Sequence, residues 1–311
     1  MKHRGLAGLC ALSTAALLVF AGCQGGSDAG HPKGLLVYAT TGYLADAVAN
    51  IAPESKIVTM VGPGGDPHTY QPSTKDIEAM QAADAVFWNG LHLEAQMIDQ
   101  LESLGDKQLA VGDTLPKELL LDWAETDEQG NPLHDPHIWN DPNVWSQAVG
   151  LVGDKLAKSD PGRADEYRTN TAAYQAKIAE TAAEADKLLT TISEPRILIT
   201  GHDAFNYLGA AYRLEVHATD FVSSEAALSP AELSELAHLI ADNKVPVIFQ
   251  DNLANPQAIT SLKEAVHALG WQVEISNEQL YADSLGSEPE VDSYLEVFLH
   301  NAQAISRALS R

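Results

Sequence analysis

From Arg163 to Thr190 the chain carries neither glycine nor proline, is rich in Ala, Glu and Lys, and repeats apolar residues at helical spacing. Asp160-Pro161 just ahead of it supplies an N-cap acceptor and a proline at the first helical position. The segment reads as one rod of about 25 residues, on the order of 40 Å at 1.5 Å per residue, with two shorter helices as the alternative. A long helix placed between two sets of folding elements implies two lobes.

Both flanks alternate short β-rich runs with amphipathic segments. Before the rod, strands are expected at Leu35–Thr40, Lys56–Val61, Ala85–Trp88 and Gln108–Val111. Helices are expected over Leu44–Ile51, Ser73–Ala82, Leu93–Leu104 and Val144–Ala157. Thr114–Asp135 has no clear period and reads as a long surface loop. After Glu194-Pro195, strands are expected at Arg196–Thr200, Leu214–Ala218, Val245–Phe249 and Gln272–Ile275. Helices follow over Ala204–Tyr212, Ala231–Asp242, Pro256–Leu269 and Val291–Leu309. Ser229-Pro230 with Glu232 is a capping-box start, and Gly270 stops the helix before it. Strands alternating with helices give parallel sheets covered on both faces, so the expected fold class is α/β in two lobes joined by one long helix. The expected bounds are residues 34–160 for the first lobe, 161–193 for the linking helix and 194–311 for the second lobe.

The first residues read as an export signal. Lys2 and Arg4 form a basic start, an apolar stretch runs from Leu6 to Phe20, and Ala21 and Gly22 lead into Cys23. The stretch is shorter than the about 20 residues of a comfortable membrane span. A small-residue cleavage site ending in Cys resembles the lipobox of bacterial lipoproteins, which implies removal of residues 1–22 and lipidation of Cys23. Phe20 stands where that pattern usually has Leu, and an ordinary signal peptide cut nearby is the other reading. Residues 23–33, with Gly, Ser and Asp, read as a flexible tether.

Charge and cysteine content narrow the function. With 19 Lys+Arg against 43 Asp+Glu the formal net charge is −24, and there is no Lys/Arg-rich run. Such a chain repels phosphate backbones, which excludes nucleic acid as a partner. A hydrophobic content of 45% fits a globular chain. One of the two cysteines, Cys10, lies in the export segment, so neither a disulfide framework nor a Cys-based zinc site is expected.

In parallel sheets, ligands bind beyond the carboxyl ends of strands. Asp66-Pro67-His68 follows the second strand, and Asp135-Pro136-His137 ends the long loop. Gly201-His202-Asp203 follows the first strand after the rod, and Tyr281-Ala282-Asp283-Ser284 follows the last. Three imidazoles and one carboxylate therefore sit at loop tips, two from each lobe, and such donors suit a divalent first-row metal. No local motif joins them, so the fold would have to assemble the site. The glycine-rich turn at Gly62–Gly65 lacks the Lys and Ser/Thr of a phosphate loop and reads as a turn that positions His68. His92, His134, His217, His238, His267 and His300 read as surface or half-buried residues.

Taken in order, Gly62-Pro63 with Asp66-Pro67-His68, Asn89-Gly90-Leu91-His92-Leu93-Glu94, Asp135-Pro136-His137-Ile138-Trp139, His202-Asp203-Ala204-Phe205 and Leu280-Tyr281-Ala282-Asp283 resemble the zinc/manganese family of solute-binding proteins of bacterial ABC importers. The resemblance runs from about Gly34 to Leu309. It implies two α/β lobes on a rigid helix and metal ligands at His68, His137, His202 and Asp283. It also implies an extracytoplasmic receptor that captures one Zn²⁺ or Mn²⁺ as cargo and passes it to a permease and its ATPase. Such a receptor is expected to be a monomer anchored to the cell membrane by lipidated Cys23, on the periplasmic side or the cell surface.

Some manganese-binding relatives have Glu where this chain has His202. Gln250-Asp251-Asn252 stands where the family usually places Glu then Ser, and Phe221–Glu225 is an approximate match. Thr114–Asp135 holds acids but, among histidines, only His134, which tilts the reading away from a purely zinc-scavenging receptor. Asp66, Asp135, Asp203 and Glu225 are candidates to orient the groups around the ion. Four protein donors fill a tetrahedral shell and leave no position for an activated water, which suits capture better than catalysis, so no enzyme is expected. Two alternatives remain. One is a lipid-anchored zinc metallohydrolase with Asp283 or Glu225 as base, although the chain lacks H-E-x-x-H and G-x-S-x-G. The other is a metal-containing adhesion module.

Overall fold

The computed structural model describes residues 34–127, 129–220, 228–252 and 256–310; the export segment, Cys23, the tether and Glu225 lie outside the described residues. The first sheet is built from short runs of β-branched and aromatic residues. Strands β1 (Leu36–Ala39), β2 (Lys56–Thr59), β3 (Ala85–Trp88) and β4 (Gln108–Ala110) are all parallel, in the order β2-β1-β3-β4. Around them lie helices α1 (Gly42–Ile51), α2 (Thr74–Ala82), α3 (Ile98–Glu102) and α4 (Val111–Thr114). Thr41 caps α1 by accepting from Leu44 N, and Ser73 with Asp76 forms a capping box on α2.

Two segments differ from the sequence reading. The helix expected over Leu93–Leu104 is reduced to a 3-10 turn at Ala95–Met97 followed by α3, because Gly90, Leu91 and His92 enter it with positive φ and Glu94 turns back on Asn89 and Gly90. The supposed loop Thr114–Asp135 contains an antiparallel hairpin, β5 (Asp122–Thr126) with β6 (Pro132–His134). Its burial alternates along β5 at period two, but too few of its residues are apolar for the pattern to show in sequence. The turn is closed by Asp127, which accepts from Gln129 N, Asn131 N and Asn131 Nδ2.

Helix α5 (Pro142–Ser159), capped by Asp141, leads through a 3-10 turn at Pro161–Arg163 into α6 (Ala164–Leu189), a single unbroken helix of 26 residues. Its buried stripe is Tyr167, Thr171, Tyr174, Ile178, Ala185 and Leu189, the spacing of one helical face.

Beyond α6 come β7 (Ile197–His202), α7 (Asn206–Tyr212), β8 (Glu215–Asp220), α8 (Pro230–Asn243), β9 (Val247–Ile248), α9 (Pro256–Ala268), β10 (Glu274–Ile275) and α10 (Tyr294–Leu309). These strands form a second parallel sheet in the order β10-β9-β7-β8. It carries its own core of Ile197, Ile199, Leu236, Ile240, Ile248 and Leu262. A larger core runs from Val37 and Leu44 through Val152 and Tyr174 to Phe298 and Ile305, so α10 packs along α6 and against α1. Two α/β lobes on one long helix are thus the observed architecture. In each sheet the strand order reverses beside its first strand, β1 or β7, and the ligand crevice of such sheets lies outside the carboxyl ends there. No described helix is long and apolar enough to cross a membrane.

Candidate metal centre

His68 reaches the cleft on the Gly62–Gly65 turn after β2. Asp66 shapes that turn, accepting from His68 N at 2.8 Å and from Thr69 Oγ1 at 2.6 Å. His137 follows the hairpin, His202 is the last residue of β7, and Asp283 lies in the loop before α10. These four side chains, separated along the chain, come together at one point.

His68 Nε2 lies 3.3 Å from His137 Nε2 and 3.4 Å from Asp283 Oδ2. His137 Nε2 lies 3.3 Å from Asp283 Oδ1, and His202 Nε2 lies 3.0 Å from Asp283 Oδ2. All four ligand atoms fall within 4.8 Å of one another. A tetrahedron with metal–ligand arms of about 2.0–2.1 Å has edges of about 3.3–3.4 Å, so the spacing suits a small divalent cation. His202 Nε2 and both oxygens of Asp283 are buried, and despite the short gap between them their geometry makes no hydrogen bond. Buried polar atoms are ordinarily satisfied. Three that converge on one point mark a place for a cation, and the four residues form a potential single metal site.

Electrostatics agrees. Burial disfavours the charged forms throughout, but at Asp283 the facing His202 and His137 overcome it and hold the carboxyl well below its usual range. At His137 burial is likewise outweighed by the carboxylates of Asp135 and Asp283, which push the imidazole up to about 10. His202 is raised for the same reason, chiefly by Asp283 against burial. His68 is lowered, because there burial dominates.

The surrounding groups aim these donors. Asp135 Oδ1 accepts from His137 Nδ1 at 2.7 Å and from His137 N at 2.9 Å, so that in the neutral imidazole Nε2 carries the lone pair. Asn206 Nδ2 bridges Asp135 Oδ2 at 3.1 Å and Asp203 Oδ1 at 2.9 Å. Asp203 is thereby linked to Asp135 through Asn206. Its carboxyl is raised by burial and by the like charge of Asp135.

Residues 37–308 match the family described as zinc-uptake complex component A, periplasmic (ZnuA). The chain belongs to the ZnuA family. It is 34% identical to the zinc-binding protein TroA of Treponema pallidum over 307 residues, covering 97% of each chain, and 31% identical to the manganese-binding lipoprotein MntA of Bacillus subtilis, covering 97% of this chain and 99% of that one. The solved structure of TroA superposes with a TM-score of 0.82 over 89% of this chain and all of its own, and Fe(III)-bound YtgA of Chlamydia trachomatis, 26% identical, with 0.79 over 88% and 97%.

The Gln250-Asp251-Asn252 segment, expected beside the ligands or at the lobe interface and not among the ligands, lies against this ZnuA-family centre, whereas Trp123 escaped the sequence reading. Asp251 Oδ2 accepts from His202 N at 2.8 Å. Asn252 accepts from Ala282 N at 2.9 Å and donates to Ser284 O at 3.2 Å, so the Gln250-Asp251-Asn252 departure from the family pattern lies against both ligands of this lobe. Trp123, on the hairpin, places its ring 6.5 Å from His68 and 6.1 Å from His137. An aromatic at the start of an acidic, aperiodic segment gives no sequence signal of that position. Glu225 lies outside the described residues.

Proposed function

We propose that this chain is an extracytoplasmic receptor that captures one Zn²⁺ or Mn²⁺ and delivers it to the permease and ATPase of an ABC importer. The ligands are His68 and His137 from the first lobe and His202 and Asp283 from the second. The observation that carries the reading is the convergence of three imidazole nitrogens and a carboxylate, of which His202 Nε2 and both Asp283 oxygens are buried without a hydrogen bond. Membership of the ZnuA family supports it, as do relatives named for zinc and for manganese.

Donors divided between two lobes suit reversible capture, since a relative movement of the lobes breaks the shell. Nitrogen-rich donor sets bind Zn²⁺ more tightly than Mn²⁺ whatever the physiological cargo, so metal content after purification is a poor guide to it. Asp283 lies within 3.4 Å of two histidine nitrogens and 3.0 Å of a third, as a fourth donor and not as a free base. This disfavours a hydrolase, which needs an open coordination position. The first residues support removal of 1–22, lipidation of Cys23 and attachment by a flexible tether, and a monomer suffices because one chain supplies every donor. The lobes would span residues 34–160 and 194–311, with 161–193 linking them.

The test is calorimetric titration of metal-stripped chain beginning just after Cys23 with Zn²⁺ and with Mn²⁺, alongside His202→Ala. Tight binding of one ion that the variant loses supports the receptor. Binding indifferent to His202 overturns the ligand set, and no binding overturns the function.

A further inference from the structure

The segment Asn89–Glu94 supplies no donor to the metal centre, yet it is held from several sides. Glu94 is 1% exposed. Its Oε1 accepts from Thr40 Oγ1, beyond the end of β1, at 2.6 Å and from Asn89 N at 2.8 Å, and its Oε2 accepts from Gly90 N at 3.1 Å. Gly90, Leu91 and His92 have φ of 76°, 53° and 67°. A left-handed side-chain residue crowds its own carbonyl, so two in succession persist only where the surroundings impose them. A Cβ at Gly90 would meet Asp113 Oδ2 at 2.5 Å, and Asp113 Oδ1 accepts from Leu91 N at 3.1 Å, which locks the turn from outside.

That turn decides where Asn89 points. Its Nδ2 donates to Pro136 O at 2.9 Å and to Gly90 O at 3.2 Å. Pro136 immediately precedes His137, and its carbonyl also accepts from Ile138 N at 2.8 Å. The backbone there belongs to no strand or helix before the short turn at Ile138–Asn140, and apart from Asp135 N, which donates to Leu121 O at 2.9 Å, it is side chains that hold it from outside. From the second lobe Tyr207 OH donates to Asp135 O at 3.2 Å and Asn206 holds the Asp135 side chain. From the first lobe the side chain holding Pro136 is Asn89.

We infer that Asn89 and Glu94 are positioning residues of the metal centre: Glu94 holds the left-handed turn, the turn aims Asn89, and Asn89 places the Asp135-Pro136-His137 segment so that His137 Nε2 faces the ion. The inference rests on the receptor reading and assigns a role to a motif that touches no metal.

The experiment compares the unmodified chain, Asn89→Ala, Glu94→Gln and the double variant in three measurements: Zn²⁺ affinity by competition titration, the visible absorption of the Co²⁺-loaded protein, and thermal unfolding without metal. Each single variant should weaken Zn²⁺ by about tenfold or more, the usual effect of removing a group that orients a ligand, and should shift or broaden the Co²⁺ bands. The double variant should lose no more than the worse single one, since both act on one chain of contacts. Unchanged affinity and Co²⁺ bands with only a lower unfolding temperature would reduce the motif to a stabiliser, and additive losses would break the proposed chain; either overturns the inference. If Glu94→Gln does not fold, Thr40→Val, which removes one donor to the same carboxylate, takes its place. An unmodified chain that binds neither Zn²⁺ nor Mn²⁺ would instead overturn the receptor reading.

Discussion

Tyr43 OH and Trp139 Nε1, side chains stacked 4.8 Å apart in the first lobe, donate to the same acceptor, the carbonyl of Ala282, at 2.9 and 2.8 Å. Ala282 immediately precedes Asp283, so a ligand of the second lobe is fastened to aromatics of the first. On the other side of Asp283, Ser284 Oγ accepts from Gly64 N, in the turn that carries His68. Asp283 is thus flanked on both sides by hydrogen bonds from the first lobe.

Tyr43→Phe removes one of the two donors while preserving the stack. The carbonyl keeps Trp139, so the expected cost is about 1 kcal/mol of stability, the net worth of one buried hydrogen bond. Urea unfolding of the metal-free chain measures it, and a loss above about 3 kcal/mol would show that Tyr43 does more than donate.

Asp135→Asn should weaken Zn²⁺ binding by about 10–100-fold without unfolding the protein. The carboxylate accepts from both His137 Nδ1 and His137 N, and an amide loses the charge that favours the Nδ1–H tautomer. Titration of the variant with Zn²⁺ decides, and an affinity equal to the unmodified chain's would remove Asp135 from the centre.

Metal affinity should rise with pH through neutrality and beyond. Against burial, the carboxylates of Asp135 and Asp283 push His137 up to about 10, so it holds a proton at neutral pH in the metal-free site; His202 is raised in the same direction, chiefly by Asp283, whereas burial lowers His68. Only the neutral imidazole ligates, so binding displaces that proton and is opposed by acid. Each displaced proton steepens the dependence by about tenfold per pH unit below its pKa. Calorimetry at pH 7 in buffers of different ionisation enthalpy should register proton release, and none at all would contradict the raised values.

Arg196 pins the end of the long helix. Its guanidinium donates to the carbonyls of Leu189 and Ile192 at the end of α6 and of Tyr212 and Arg213 at the end of α7. Lysine carries fewer donors and lacks the planar fork, so Arg196→Lys should cost about 2 kcal/mol of stability, read by thermal or urea unfolding. A variant as stable as the parent would mean that water replaces these bonds without penalty.

Much of the scaffold was legible because its causes are local. The absence of glycine and proline with apolar residues at helical spacing marks α6 within a few residues of Ala164–Leu189, and Ser229 caps the helix it was expected to cap. Buried runs such as Ala85–Trp88 read as strands, and alternating elements implied the parallel sheets. The hairpin Asp122–His134 was not legible, since its pairing depends on a turn built by Asp127 and on an alternation with little apolar content. Nor was the brevity of α3, which follows from left-handed residues that no propensity predicts.

For the site, residue type and position at loop tips gathered His68, His137, His202 and Asp283 as candidates, because metal chemistry restricts which side chains can serve and sheet topology restricts where they sit, and the family resemblance made them the ligand set. Sequence alone determined these candidates and the lobes that carry them, through short-range patterns that survive without neighbours. What only the tertiary structure decided is their mutual placement: the 3.0–3.4 Å separations, Asp251 behind His202, Trp123 beside His68, and the two aromatics holding Ala282. Tyr43 and Ala282 are 239 residues apart in the chain, and a contact of that range exists only once both lobes have closed on the same helix.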